Sequence, residues 1–176
     1  MGLDIYFHKC KRGNYERYEK AHKEWQEQQP ESSKIHNDDY EKLPEEEKAK
    51  IQKELRAWWD KEPTMKDYEI GDIGYFRKVN FLMAFFNYYE NCSFKKVSKA
   101  ELEDLRERCY KVLHAPKKER QEVAEDLLPT QSGFFYGSTE YDNYYFDDVK
   151  EVKKWVEEVI ENLNDETEEV LMYCWY

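Results

Sequence analysis

The two ends of this chain constrain its fold more than anything between them. Leu3, Ile5 and Phe7 alternate with Asp4, Tyr6 and His8, the period-two pattern of a strand with one buried face. At the other end Glu169–Tyr176 is short, β-branched or aromatic at several positions, and preceded by the turn-like Asn164-Asp165-Glu166-Thr167. The residues between read as helix almost throughout. A lone strand leaves a row of backbone N–H and C=O groups without partners, so two lone strands in a helical chain need each other. The sequence therefore predicts a small β-ribbon that joins the N- and C-terminal segments.

The helical readings follow from period and punctuation. Asn14–Gln29 carries Tyr15, Tyr18, His22 and Trp25 on one stripe, and Pro30 ends it. Pro44 opens a second helix with Glu45, Glu46 and Glu47 in its first turn, where the helix dipole favours acids. Its apolar stripe is Ile51, Leu55, Trp58 and Trp59. Gly74–Glu90 reads as a third helix capped by Asp72 and apolar almost all round, which marks a central, buried element. Ser98-Lys99-Ala100-Glu101 is a capping box with Leu102, Leu105, Cys109 and Val112 on one face of the helix it opens. A short helix near Lys117–Leu127 follows Pro116, and Tyr145, Val149, Val152, Val156, Val159 and Leu163 mark the last one. The expected fold class is α+β and mostly helical: helices around the central hydrophobic helix, with the terminal strands closing it. Residues 1–176 are read as a single domain in which 13–66 is a charge-rich helical hairpin or insertion; there is no internal repeat and no Gly/Ser-rich linker.

Composition removes several function classes. A net charge of −11 disfavours direct binding to nucleic acid or to an anionic membrane. Fifteen tyrosines and five tryptophans argue against disorder. The longest apolar cluster, Phe81–Phe86, is too short to cross a bilayer, and the opening residues lack the pattern of a secretory signal. Gly2 is not read as a myristoylation site, because the sixth residue is Tyr6 rather than Ser or Thr. The four cysteines are scattered with no CxxC pair, and the histidines His8, His22, His36 and His114 are dispersed, so no metal or cofactor is expected. These readings place the chain in the cytoplasm.

One segment departs from ordinary helix. Leu127–Asp148, LLPTQSGFFYGSTEYDNYYFDD, sets Pro129, Gly133 and Gly137 among aromatics, small hydroxyls and acids. Gly and Pro impose special backbone angles, hydroxyls donate and accept, and aromatic rings supply rigid contact area. The candidate binding residues are Thr130, Ser132, Gly133, Tyr136, Ser138, Thr139, Glu140, Tyr141 and Asp142 from this segment, with Arg77 and Asn80 from the expected central helix Gly74–Glu90.

MGLDIYF at the start, GYFRKVN in the middle and the LLPTQSGFFYGSTEYDNYYFDD segment together resemble a family of small proteins encoded largely by bacteriophages and prophages. Its members begin MGLDMY and carry GYWRKAN and LLPT-SGFFFGSTEYDEWYFED. The likeness covers the two ends and about 69–163. Gly74, Arg77, Asn80, Pro129, Ser132, Gly133, Gly137, Ser138, Thr139, Tyr141 and Asp142 stand where that pattern has the same residues, and Phe76 replaces its usual Trp. The resemblance implies a phage or mobile-element origin and supplies no activity.

Two readings compete at each constellation. Arg77 and Asn80, one helical turn apart, either hold a carboxylate or phosphate, or Arg77 pairs with Asp142 or Glu140 and pins the loop. Gly133–Asp142 is either an anion nest or a tight loop whose hydroxyls cap its own backbone, with Asp142 as N-cap of the last helix. His114 is read as a favourable charge at a helix end. The functional expectation is a non-catalytic binding protein acting on a host protein or a small anionic ligand. A small hydrolase or transferase using the loop carboxylates, and an acidic nucleic-acid mimic, stay as alternatives. The oligomeric state is open.

Overall fold

The structure, a computed structural model that describes residues 2–176, runs β1 (Asp4–Lys11), α1 (Asn14–Glu27), α2 (Asn37–Tyr40), α3 (Glu45–Trp59), β2 (Gly71–Arg77) and α4 (Phe81–Phe86). Then come β3 (Ser93–Val97), α5 (Lys99–His114), α6 (Arg120–Leu127), α7 (Asn143–Asn162) and β4 (Glu168–Trp175). The residues divide into two compact units: one holds the segment through Arg12 together with Gly71–Tyr176, the other Gly13–Ile70.

In the first unit the terminal strands pair antiparallel, in register from Asp4↔Trp175 to Lys11↔Glu168. They are the inner pair of a four-stranded antiparallel sheet in the order β2-β1-β4-β3. The protein is thus α+β and mostly helical, and the ribbon has grown by a strand on either side. Leu3, Ile5 and Phe7, with Val170, Met172 and Cys174, turn one face of the sheet toward the core. Leu102, Leu105, Cys109 and Val112 of α5 and Val149, Val152, Trp155 and Val156 of α7 fill that core from the helical side. On the opposite face rings touch across all four strands: Tyr75 to Tyr6 at 4.9 Å, Tyr6 to Tyr173 at 6.2 Å, and Tyr173 to Phe94 at 4.8 Å.

The expected helix Gly74–Glu90 is not formed, and Asp72 caps nothing. Gly71–Arg77 is a strand, a turn at Lys78 follows, and only Phe81–Phe86 is helical before Asn87 ends it in the left-handed region (φ 46°). The physical reason is the outer edge of β1. An unpaired edge strand is costly, and Gly71 and Gly74 weaken any competing helix. β2 shifts register by one residue beside Phe7, so that His8 faces Asp72. Gly74 then lies against the Trp155 indole: a Cβ there would fall within 2.8 Å of the ring, while the indole N–H donates to the Ile73 carbonyl at 2.6 Å. β3 is short and carries Lys95 and Lys96, as edge strands often do.

In the second unit, α1 and α3 follow the expected patterns closely. Trp25 and Trp58 stack with ring centroids 4.2 Å apart, and each indole N–H donates to the other's backbone carbonyl at 2.9 and 3.0 Å. Asn14 adds a bond from its side-chain amide to the Tyr68 carbonyl at 2.8 Å. Indoles bury large area only where the N–H finds an acceptor, and this exchange meets that requirement twice. No helix among the described residues is long and apolar enough to cross a membrane.

Candidate functional site

The 127–148 segment is held by one buried side chain. Asn80 donates from Nδ2 to the carbonyls of Tyr136 (3.2 Å) and Ser138 (2.7 Å), and its Oδ1 accepts from the Gln131 N–H at 3.2 Å. Backbone bonds add to this: the Leu3 N–H donates to the Phe135 carbonyl and the Lys78 N–H to the Leu3 carbonyl, both at 2.8 Å. The start of β1 is therefore clamped between the loop and the turn after β2. Two glycines permit the close approach. Gly137 takes φ +93° with Lys78 Cβ 3.1 Å from where its own Cβ would stand, and Gly133 leaves room for the Tyr136 ring.

The loop spends its own polar groups. Thr130 Oγ1 donates to the Thr139 carbonyl at 3.1 Å, and the Thr130 N–H donates to the Tyr141 hydroxyl at 3.1 Å. Ser138 Oγ accepts from the Glu140 N–H at 3.1 Å, and Asp142 caps α7 by accepting from the Tyr145 N–H at 3.0 Å. The Tyr145 hydroxyl, buried, donates to the Leu128 carbonyl at 2.8 Å; burial pushes that phenol well above its ordinary value. Tyr136 is buried edge-on to Tyr176, and its phenol is likewise raised by burial. Of the two loop readings, the geometry gives the self-capping one. Thr130 bonds both Thr139 and Tyr141, and Asn80 anchors the loop through Gln131, Tyr136 and Ser138.

Arg77 departs from expectation. It stands at the end of β2 rather than on a helical face shared with Asn80, and it does not pair with Asp142 or Glu140. Its Nη1 lies 3.5 Å from Asp4 Oδ1, across the β1–β2 pair, and the side chain stays 56% exposed. The strand explains this: Asp4 is the register partner of Arg77.

Arg77, Asn80, Ser138, Glu140 and Asp142 nevertheless come to one place, a cleft of about 240 Å³. Thr130, Ser132, Gly133, Tyr136, Thr139 and Tyr141 do not line it. Lys78, Tyr144 and Asp148 complete the walls, with Val79, Phe81 and Tyr145. Sequence reasoning passed over these three. Lys78 was visible beside Arg77 in GYFRKVN, and Asp148 follows Tyr144 and Tyr145 at the four- and three-residue spacing that shares a helix face. Asp148 stands beside Asp147 in α7. Burial pushes its carboxyl up to about 6, and Glu151, Asp147 and Asp142 add to the shift.

A second polar feature lies on the sheet. His8 is 3% exposed; its Nδ1 meets Asp72 Oδ1 at 2.7 Å, and Nε2 is buried with no hydrogen-bond partner. Burial lowers the His8 pKa, against the raising influence of Asp72. His114 Nδ1 bonds the Tyr110 carbonyl at 2.8 Å near the end of α5. Among the described residues no group of three or more His, Cys, Asp or Glu is arranged to hold a metal ion. Cys109 and Cys174 are buried free thiols, Cys92 is an exposed one, and Cys10 is buried with its Sγ 3.7 Å from Glu169 Oε1.

The fold and cleft together define an α+β domain with a preformed, charge-lined recess beneath a self-bonded aromatic loop. Comparison with protein-family models, curated proteins and solved structures finds no match.

Proposed function

We propose that this is a non-catalytic binding protein of phage or mobile-element type, acting in the cytoplasm of a bacterial host and engaging a host protein through the rim of the cleft. The observation that carries this reading is Phe134, 96% exposed in a loop that backbone bonds tie down on both sides. Tyr144, 81% exposed at the cleft wall, is a second such ring. Aromatic side chains on a rigid support lose little entropy on binding, and they are the usual anchors of protein interfaces.

The other readings draw less support. A simple anion would meet three carboxylates in the same cleft. A hydrolase or transferase finds one favourable group in Asp148, whose raised pKa suits an acid, but Ser138 has its hydroxyl engaged by the loop backbone. A nucleic-acid mimic calls for carboxylates without interspersed cations, whereas the helices alternate them in pairs such as Lys50–Glu46, Lys111–Glu107 and Lys150–Asp147.

The test is photo-crosslinking in a bacterial host, with a photoreactive residue at position 134, at 144, or at the control position Tyr110, which is exposed on α5. The same host protein should be captured from 134 and 144 and not from 110. Equal labelling from 110, or no discrete product from 134, overturns the reading.

A further inference from the structure

We infer that the cleft is a receptor for a small zwitterion, a free α-amino acid, with its carboxylate held by Arg77 and Lys78 and its ammonium by Asp148, Asp142 and Glu140. The inference stands apart from the docking of a partner at Phe134 and needs no partner to be tested.

Its first support is the arrangement of charge. The end of β2 and the turn after it contribute two cations to the cleft, while the loop and the first turns of α7 contribute three carboxylates. No ion pair crosses the cleft among the described residues. Arg77 turns to Asp4 on β1, and Lys78, Glu140, Asp142 and Asp148 form no ion pair. This is unlike the helices around it, where Asp147 meets Lys150 at 2.7 Å and Asp104 meets Arg108 at 3.0 Å. Opposite charges that line one recess without neutralising each other leave both signs available to a ligand. An anion alone would leave the carboxylate wall unmet, and a cation alone would leave Arg77 and Lys78 unmet.

The state of Asp148 points the same way. The residue is half-buried, its carboxylate makes no hydrogen bond among the described residues, and it is surrounded by Asp142, Asp147 and Glu151. Burial and those neighbours disfavour its charge, and a ligand ammonium would relieve both. The cation side is held in place as firmly. Lys78 sits at φ 61°, an uncommon setting for a residue with a side chain, fixed by its N–H bond to Leu3 and by Gly137 packed against its Cβ.

Size selects the class. About 240 Å³ falls below the roughly 300–1,000 Å³ of pockets for drug-sized ligands. A volume of this size suits a single amino acid better than a nucleotide or a folded peptide segment. Val79 and Phe81 give an apolar floor and Tyr144 a wall against which its side chain can rest.

The experiment is a thermal-shift screen of the full chain with the free proteinogenic amino acids, at a pH above about 7 so that Asp148 is ionised. The best ligand is then compared by calorimetry with its N-acetyl form, which keeps only the carboxylate, and its C-amide, which keeps only the ammonium. At least one free amino acid should raise Tm by about 2–4 °C at saturating concentration, and neither blocked form should. Asp148→Asn and Lys78→Gln should each weaken binding about tenfold or more. Binding to the native chain should also weaken as pH falls through about 6, and binding to Asp148→Asn should not. If either variant fails to fold, Glu140→Gln, at an exposed position, carries the same test. The inference is overturned if no free amino acid shifts Tm, if a blocked form binds as well as the free one, or if the variants bind unchanged. Each of those results leaves the crosslinks from position 134 as they were, so the two readings fail separately.

Discussion

At the scale of single residues, Asn80 does the work that an ion pair from Arg77 was expected to do. A neutral amide suits this place, since it offers donors and an acceptor to a loop that passes on both sides of it, and it carries no charge to desolvate. Asn80→Ala should leave the Gln131 N–H and the Tyr136 and Ser138 carbonyls poorly met, at a cost of about 2–4 kcal/mol. Limited proteolysis should then cut between Leu127 and Asp142, and Arg77→Ala should leave that segment protected; equal cutting in both variants would contradict the assignment. Two groups whose shifts act closest to neutral pH, His8 and Asp148, set opposite slopes. His8 has its folded pKa below the ordinary 6.5, so its contribution is full above 6.5 and is lost as pH falls through the lowered value. Asp148 has its folded pKa raised from 3.8 to about 6, so its contribution is full below 3.8 and is lost as pH rises through about 6. Replacing His8 by Gln should therefore leave a chain whose stability in denaturant titrations rises on acidification from about pH 6 toward 5, above the range in which the lowered carboxyls of Glu101, Glu168 and Asp67 lose their contribution. A stability that still falls with acid over that range would show that His8 is not the group responsible.

At the scale of elements, the caps and periods were legible where local chemistry decides. Ser98 and Glu101 form the capping box, Asp142 caps α7, and α1 and α3 keep their stripes. Gly71–Arg77 was misread because its fate is decided by a distant neighbour. Residues 79–86 are apolar on every side, which looks helical in isolation, while the need to pair the outer edge of β1 appears only once β1 is in a sheet. β3 escaped notice for a similar reason: SFKKV is short, and its two lysines mask an edge strand. The cleft was half legible, because the glycines and acids of the loop stand out, whereas Asp148 belongs to a helix and only its lost solvation marks it. Gly74 ties β2 to α7, since the Trp155 indole lies where a Cβ would go. Gly74→Ala should cost about 1–3 kcal/mol by overpacking, and pairing it with Trp155→Phe, which removes the indole N–H and its ring bulk, should recover part of that loss. Additive losses in the double variant would mean that the two positions are not in contact.

At the scale of the whole molecule, the topology explains how a chain of mostly local helices carries a second unit between its first two strands. β1 and β2 are antiparallel neighbours, and Lys9 faces Gly71 where the Gly13–Ile70 unit interrupts the chain. Adjacent antiparallel strands can be joined by a turn of two to five residues, so the connection itself does not require the inserted helices. The first unit has its own core, built from both inner strands, α4, α5 and α7, with Leu3, Ile5, Phe7, Leu82 and Met83 fully buried in it. The inserted unit has a separate source of order in the Trp25–Trp58 exchange. Cutting out 13–70 and joining Arg12 to Gly71 through a short Asn-Gly turn should therefore leave a chain that unfolds in one cooperative transition. Its near-ultraviolet dichroism should still report packed aromatics from Phe7, Phe76 and Trp155, whose rings lie within 4.3–6.0 Å of one another. A shortened chain that is molten, with helical signal and no near-ultraviolet bands, would show that the sheet depends on the inserted helices and that the two units fold as one.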